Sequence, residues 1–169
     1  MTFSIVARCA TSGQFGVAIS SSSPAVAARC AHARAGIGAV TTQNITNPAL
    51  GPVMLEELAA GHDAVIAIST AIKVDGFGEH RQLLAIDKHG TTAAHSGTHV
   101  LGLWNTSHGI DCVTGGNLLA TSEIPDAMVA AYEAATGSLG DRLLESMLAA
   151  LNLGGEMGPL RSAGLLIVH

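Results

Sequence analysis

Glu79-His80-Arg81-Gln82 sets a carboxylate, an imidazole, a guanidinium and a carboxamide side by side, directly before the apolar run Leu83-Leu84-Ala85-Ile86. In a chain only 12% charged, this is the densest polar cluster. Glu79 and His80 are the pair to move a proton or orient a water. Arg81 suits a carboxylate or a developing oxyanion, which its planar fork can hold with paired hydrogen bonds. The cluster lies where a loop enters a strand, a place where a rigid scaffold holds functional side chains. The alternative is an ion-pair network that pins the start of the strand.

Three further groups could bind a polar ligand. Ser20 to Ser23 run up to Pro24. They read as a polar strand end and turn, or as a hydroxyl-lined rim with Ser21 and Ser22 over a substrate. Gln43, Asn44 and Asn47 follow a strand candidate, and each carboxamide offers a donor and an acceptor. Asn47 before Pro48 also suits an N-cap followed by the first helical position. Gly115-Gly116-Asn117 allows close approach of a backbone or ligand, but no Gly-Lys-Ser or Gly-Lys-Thr follows, so it is not a phosphate loop. His95, His99 and His108 have no Cys or carboxylate at a recognised zinc spacing. The expectation is therefore no metal and no cofactor.

The elements that must hold these groups follow from patterning. Thr2–Arg8 and Phe15–Ser21 read as a hairpin about Thr11-Ser12-Gly13-Gln14. Residues 25–34 have helix-forming composition, and residues 36–42 read as a strand. Leu50, Val53, Met54, Leu55 and Leu58 share one helical face that Gly61 ends. Asp63 caps a helix over residues 64–73, apolar nearly all round and so expected to be largely buried between layers. Residues 81–87 and 91–96 form a second hairpin, residues 97–109 a loop, and residues 110–114 a short strand. A helix follows with Ile124, Met128, Ala131, Tyr132 and Ala135 inward. Ser138 caps another with Leu139, Leu143, Leu144, Met147, Leu148 and Leu151 on one stripe, and Gly154-Gly155 stops it. Ser162–Val168 is a last apolar strand. Helices come in sequential pairs rather than alternating with strands, which disfavours a doubly wound parallel sheet. The order fits an α+β fold, a four-layer α-β-β-α sandwich of two mainly antiparallel sheets.

Composition narrows the function. A chain of 169 residues, 48% apolar but only 3% aromatic, is one domain with a close-packed aliphatic core. No apolar run reaches the roughly 18 residues of a membrane helix, and a net charge of −5 without a basic block argues against nucleic acid. Three scattered cysteines and no signal-like N-terminus indicate a cytoplasmic protein. Low charge with high apolar content suggests a homodimer or larger oligomer.

Seven segments together resemble the bacterial domain-of-unknown-function family 1028, grouped with the Ntn-hydrolase-like folds. They are Thr2–Arg8, Pro24–Ala27, Ala35–Val40 with Gln43, Asn47-Pro48 with Gly51-Pro52, Glu79–Gln82, Gly116–Leu119 and Ser162–Leu166, in order over essentially the whole chain. The resemblance implies the same sandwich. By superfamily analogy it implies hydrolysis of an amide, ureide or short peptide-like C–N bond in a small metabolite. The nucleophile of that superfamily heads the first strand, here Thr2 once Met1 is lost. The implied set is then Thr2, Glu79, His80 and Arg81 as catalytic residues, with Ser21, Ser22, Gln43, Asn44, Gln82 and Asn117 contacting substrate. Ser22 stands where many members carry Arg. A non-catalytic binding or assembly module on the same fold is the alternative. The chain stops just after an apolar strand, so residues 1–169 are expected to form one domain lacking a C-terminal strand and helix, the remainder possible as a second chain from the same precursor.

Overall fold

The computed structural model describes residues 2–169, so Met1 lies outside the described residues. Its first strand, β1 (Thr2–Arg8), alternates as read: Phe3, Ile5 and Ala7 enter one apolar cluster, whereas Val6 enters another on the opposite face. β1 pairs antiparallel with β2 (Phe15–Ser21), bringing Thr2 opposite Ser21.

Residues 25–34 split. A five-residue helix α1 (Val26–Cys30) gives way to β3 (Ala31–Arg34), which pairs with β4 (Gly38–Asn44). Alanine-rich composition is permissive for a helix, and strand pairing overrides it here. α2 (Leu50–Ala59) begins after Ala49 rather than at Asn47; Asn47 Oδ1 still accepts the Ala49 amide at 3.2 Å, two residues along. α3 (Ala64–Asp75) is capped by Asp63, whose carboxylate accepts the Ile66 amide at 2.9 Å.

α3 is not sandwiched. Ala64, Ala67, Ile68 and Ala71 are buried, whereas Val65, Ile66 and Val74 face solvent. A helix in the outer layer of a four-layer fold has a packed layer on one side only, however apolar its other face is.

β5 (Arg81–Asp87) and β6 (Thr92–Ser96) form the expected hairpin. The segment read as a loop contains β7 (Asn105–Gly109), which pairs with β8 (Cys112–Asn117). Its sequence Asn-Thr-Ser-His-Gly lacks the apolar alternation that marks a half-buried strand. β8 starts at Cys112 rather than residue 110 and extends past residue 114 through Gly115-Gly116-Asn117, which are ladder residues. α4 (Ile124–Ala134) and α5 (Leu139–Asn152) follow, α5 opening with a capping box in which Ser138 and Asp141 satisfy each other's backbone amides. β9 (Ser162–Val168) closes the described chain.

Two antiparallel sheets result, in the orders β7-β8-β1-β2-β9 and β3-β4-β5-β6. α4 and α5 cover the first through Ile124, Met128, Tyr132, Leu139 and Leu143. α2 and α3 cover the second through Met54, Leu55, Ala67 and Ile68. Between the sheets lie Val6, Val17, Ala39, Leu84, Ile86 and Val113. The fold is a four-layer α-β-β-α sandwich. Among the described residues β9 is an edge strand, hydrogen-bonded only to β2. The apolar stripe of α5 is wider than the sheet covers: Leu139, Leu143 and Met147 are buried, but Leu144, Leu148 and Leu151 are exposed. With Leu160 and Leu165 they line an apolar groove of about 390 Å³ along β9.

Candidate functional site

The layer between the sheets changes character along its length. At one end it is the aliphatic cluster just described. At the other, the same inward positions carry Ser4, Gln43, Gln82 and Asn117, all fully buried. Ser4 Oγ donates to Gln43 Oε1 at 2.7 Å. Gln43 Nε2 donates to Gln82 Oε1 at 2.8 Å, and Asn117 Nδ2 donates to the same oxygen at 3.2 Å. Gln82 Nε2 donates in turn to Ser96 Oγ at 3.0 Å and to the Gly116 carbonyl at 3.1 Å. Carboxamides suit this place because each can both give and accept, so the chain of bonds can cross from sheet to sheet.

Thr2 stands at the edge of this network. In the ladder it lies between Ser21 on one side and Asn117 on the other. Its Oγ1 is 3.2 Å from Ser21 Oγ, and the residue is 5% exposed. Ser21 Oγ also accepts the Ser23 amide at 3.0 Å, which orders the serine turn.

Three non-glycine residues with left-handed backbones bound the same end of the sandwich: Ala25 (φ 52°) after the serine turn, Asn44 (φ 74°) ending β4, and Leu118 (φ 51°) after β8. For Ala and Leu this conformation costs on the order of 1–3 kcal/mol, a strain that clusters at functional sites. Asn44 also ties two elements together, its Nδ2 donating to the His80 carbonyl at 2.6 Å and its Oδ1 accepting the Leu101 amide at 3.2 Å.

Glu79, His80 and Arg81 are each engaged away from Thr2. Glu79 is exposed in a short 3-10 turn, Gly78–His80, and its Oε2 accepts the Thr98 hydroxyl at 2.6 Å and the Thr98 amide at 3.2 Å. Those bonds hold its carboxyl below the usual range. The His80 ring leans on His99, centroids 4.7 Å apart. Arg81 faces the helix layer, with Nε 2.8 Å from Asp75 Oδ2, Nη2 3.1 Å from Asp75 Oδ1, and Nη1 bonded to the Ile45 carbonyl. Its guanidinium is thereby committed to fastening the end of α3 to the start of β5.

That pair carries a prediction. Arg81 and Asp75 side chains are 10% and 3% exposed, and removing one partner of a buried pair costs about 3–5 kcal/mol. Arg81→Met should lower stability by that order. The Arg81 hydrogen bond, helped by Asn47, holds the Asp75 carboxyl below its ordinary range. A folded pKa below the unfolded value of about 3.9 contributes stability above that value, which fades as pH falls through the folded pKa. Thermal melts between about pH 7 and pH 2 should show this acid limb in the native protein and its loss in Arg81→Met.

A group absent from the sequence reading lies at the same end of the sandwich as Thr2. Glu156 sits in the turn between α5 and β9, bridged to Leu119 just beyond Asn117. It is 5% exposed, and neither carboxylate oxygen has a hydrogen-bond partner. The Ser22 hydroxyl and amide approach it outside good hydrogen-bonding geometry, and burial pushes its carboxyl up. Asn117 Oδ1 and Thr41 Oγ1 are likewise buried and unpartnered. Such groups are rare in native proteins. A lone acid in Gly154-Gly155-Glu156-Met157-Gly158 gives the sequence reader no periodicity by which to place it.

Among the described residues, no helix is long and apolar enough to cross a membrane. The sequence matches the family described as "Family of unknown function (DUF1028)" over residues 2–169. The fold is similar to the crystal structure of protein SPO2555 from Silicibacter pomeroyi, a DUF1028 protein, with a TM-score of 0.93 and 26% identity, covering 99% of this chain and 76% of the other. No curated protein matches.

Proposed function

We propose a function on this premise: the chain belongs to the DUF1028 family, whose function is unknown, so the chemistry must be read from its own side chains. The reading supported best is hydrolysis of a C–N bond in a small amide, ureide or peptide-like metabolite, with Thr2 Oγ1 as nucleophile. The observation that carries it is a threonine hydroxyl at the start of the central strand, bonded to Ser21 and bordered by a buried carboxamide network.

With Met1 removed, the Thr2 α-amine has a pKa of about 7.7–8.0 and can take the hydroxyl proton. Oγ1 then forms a bond to the substrate carbonyl carbon. The C–N bond breaks as the leaving nitrogen receives that proton, and the acyl group stays on Thr2 as an ester. Water attacks the ester, giving up a proton to the amine, and releases the carboxylic acid and the Thr2 hydroxyl. Ser21 Oγ orients Oγ1, and Asn117 and the serine turn would contact the acyl portion.

A water-activating route through Glu79 and His80 is less well supported, since Thr98 already occupies Glu79 Oε2. His80→Ala separates the two: turnover by Thr2 persists in that variant, whereas the water route loses it. The binding-module reading is favoured by one observation, the engagement of Glu79 and Arg81 in internal bonds.

The test begins with intact mass, to obtain protein whose first residue is Thr2. A panel of amides and ureides and a β-lactone acylating probe are then applied. The expected results are turnover and a covalent adduct mapped to Thr2. Neither result, from protein with a free Thr2 amine, would leave the binding reading in place.

The assembly is proposed to be a homodimer or larger oligomer in the cytoplasm. Support comes from exposed Leu165 and Ile167 on β9, together with three free cysteines. Sedimentation should give more than the 17.0 kDa of one chain.

A further inference from the structure

We propose that Glu156 is the recognition point for a cationic nitrogen, an ammonium or guanidinium, on the ligand of this protein. Glu156 presents two unpartnered carboxylate oxygens at 5% exposure. A carboxylate offers about four lone-pair sites, and burying them dry is strongly unfavourable unless a donor, best a charged one, meets them. Among the described residues no donor reaches either oxygen in good hydrogen-bonding geometry. Neutral N–H donors would relieve the penalty partly, and a cation fully.

Position ties this acid to the site. Its bridge to Leu119 follows Asn117, which pairs with Thr2. The serine it approaches, Ser22, follows Ser21, whose hydroxyl bonds Thr2. Asn117 Oδ1, also buried without a partner, adds a second acceptor at this end of the sandwich. The turn carrying Glu156 is fastened by main-chain bonds only at its flanks: Ala120 N to Gly155 O at 2.9 Å, Met157 N to Leu118 O at 3.0 Å and Arg161 N to Ser21 O at 2.9 Å. Left-handed Gly154 and Gly155 precede it, and exposed Met157 and Leu160 follow.

The inference concerns binding and stands apart from the hydrolytic reading. Turnover in Thr2 variants bears only on that reading; amine binding by native and Glu156→Gln protein bears only on this one. The probes are n-propylammonium and methylguanidinium chloride, with n-propanol and N-methylurea as neutral counterparts, titrated by NMR at neutral pH. The expected result is saturable binding of at least one cation, at least about tenfold weaker in Glu156→Gln, a difference of about 1.4 kcal/mol. No saturation by either cation, equal binding of the neutral counterparts, or undiminished binding in Glu156→Gln overturns the proposal. Melting without probe is the second measurement. An unpaired buried carboxylate predicts that Glu156→Gln melts at the same or a higher temperature than the native protein. A lower melting temperature would make Glu156 a structural group and also overturn the proposal.

Discussion

Thr2→Ala should lower the turnover of any C–N substrate by at least about 10³-fold while the protein stays folded. The size of the effect follows from the role: the hydroxyl forms the covalent bond, and no neighbouring group replaces it. Ser21 Oγ lies 3.2 Å away on the neighbouring strand, where it orients Oγ1; to attack in its place it would need the substrate carbonyl moved toward β2. The structural part of the change is small. Thr2→Ala removes a hydroxyl from a residue 5% exposed, and a lost hydrogen bond of this kind is worth about 1 kcal/mol. Thr2→Ser keeps the hydroxyl and should retain measurable turnover. Initial rates and melting curves on the three proteins decide the matter. A Thr2→Ala protein that turns over at the native rate removes Thr2 from the chemistry.

Gln82→Leu should be the most damaging single change in the layer between the sheets, by about 3–6 kcal/mol. The estimate rests on the groups it strands. Gln43 Nε2 and Asn117 Nδ2 both donate to Gln82 Oε1, and Gln82 Nε2 serves Ser96 Oγ and the Gly116 carbonyl. Each buried group left without a partner costs about 1–3 kcal/mol, and a leucine of similar volume satisfies none of them. Gln43 Nε2 keeps only a longer contact, 3.4 Å to the Gly115 carbonyl, which is why the total stays below the sum of four penalties. For a chain of this length each kcal/mol moves the melting temperature by about 2–4 °C, so the drop should exceed about 6 °C. Calorimetry measures it. A melt within 2 °C of native would mean that water or repacking already serves these amides.

Much of the scaffold could be read from residue order. Helix faces at Leu50, Met54 and Leu58, the Asp63 and Ser138 caps, and the alternation of β1 are local signals that tertiary contacts reinforce. Reading failed where tertiary contacts decide. β7 is polar throughout and becomes a strand because β8 offers it a ladder. Ala31–Arg34 leaves a helical composition for the same reason. α3 looks buried because its sequence is apolar all round, but a sequence does not state how many layers lie above a helix.

The site divided likewise. Gln43, Gln82 and Asn117 stood out as carboxamides at strand ends or beside glycines, and the structure joins them in one network. Glu79, His80 and Arg81 drew notice by density, yet density of charge does not fix direction: Arg81 heads a strand whose odd positions face the helices, and its partner Asp75 comes from α3. Glu156 was invisible because tertiary main-chain bonds, to the segment after β8 and to Ser21, place its turn.

The pairing of β2 with β9 has a consequence for synthesis. Phe15–Ser21 lies against Val168–Ser162, so the two strands are separated by most of the chain. On the ribosome, β1 and β2 emerge first and can form their hairpin at once, but β2 keeps one unsatisfied edge until residues 162–168 have been made. At about 5–20 residues per second the wait is on the order of ten seconds. Through that interval an apolar strand edge is open to any other nascent chain, and a holding chaperone that covers β2 would compete directly with β9. The yield of folded protein should therefore depend more on how fast residues 22–169 are translated than on the intrinsic stability of the sandwich.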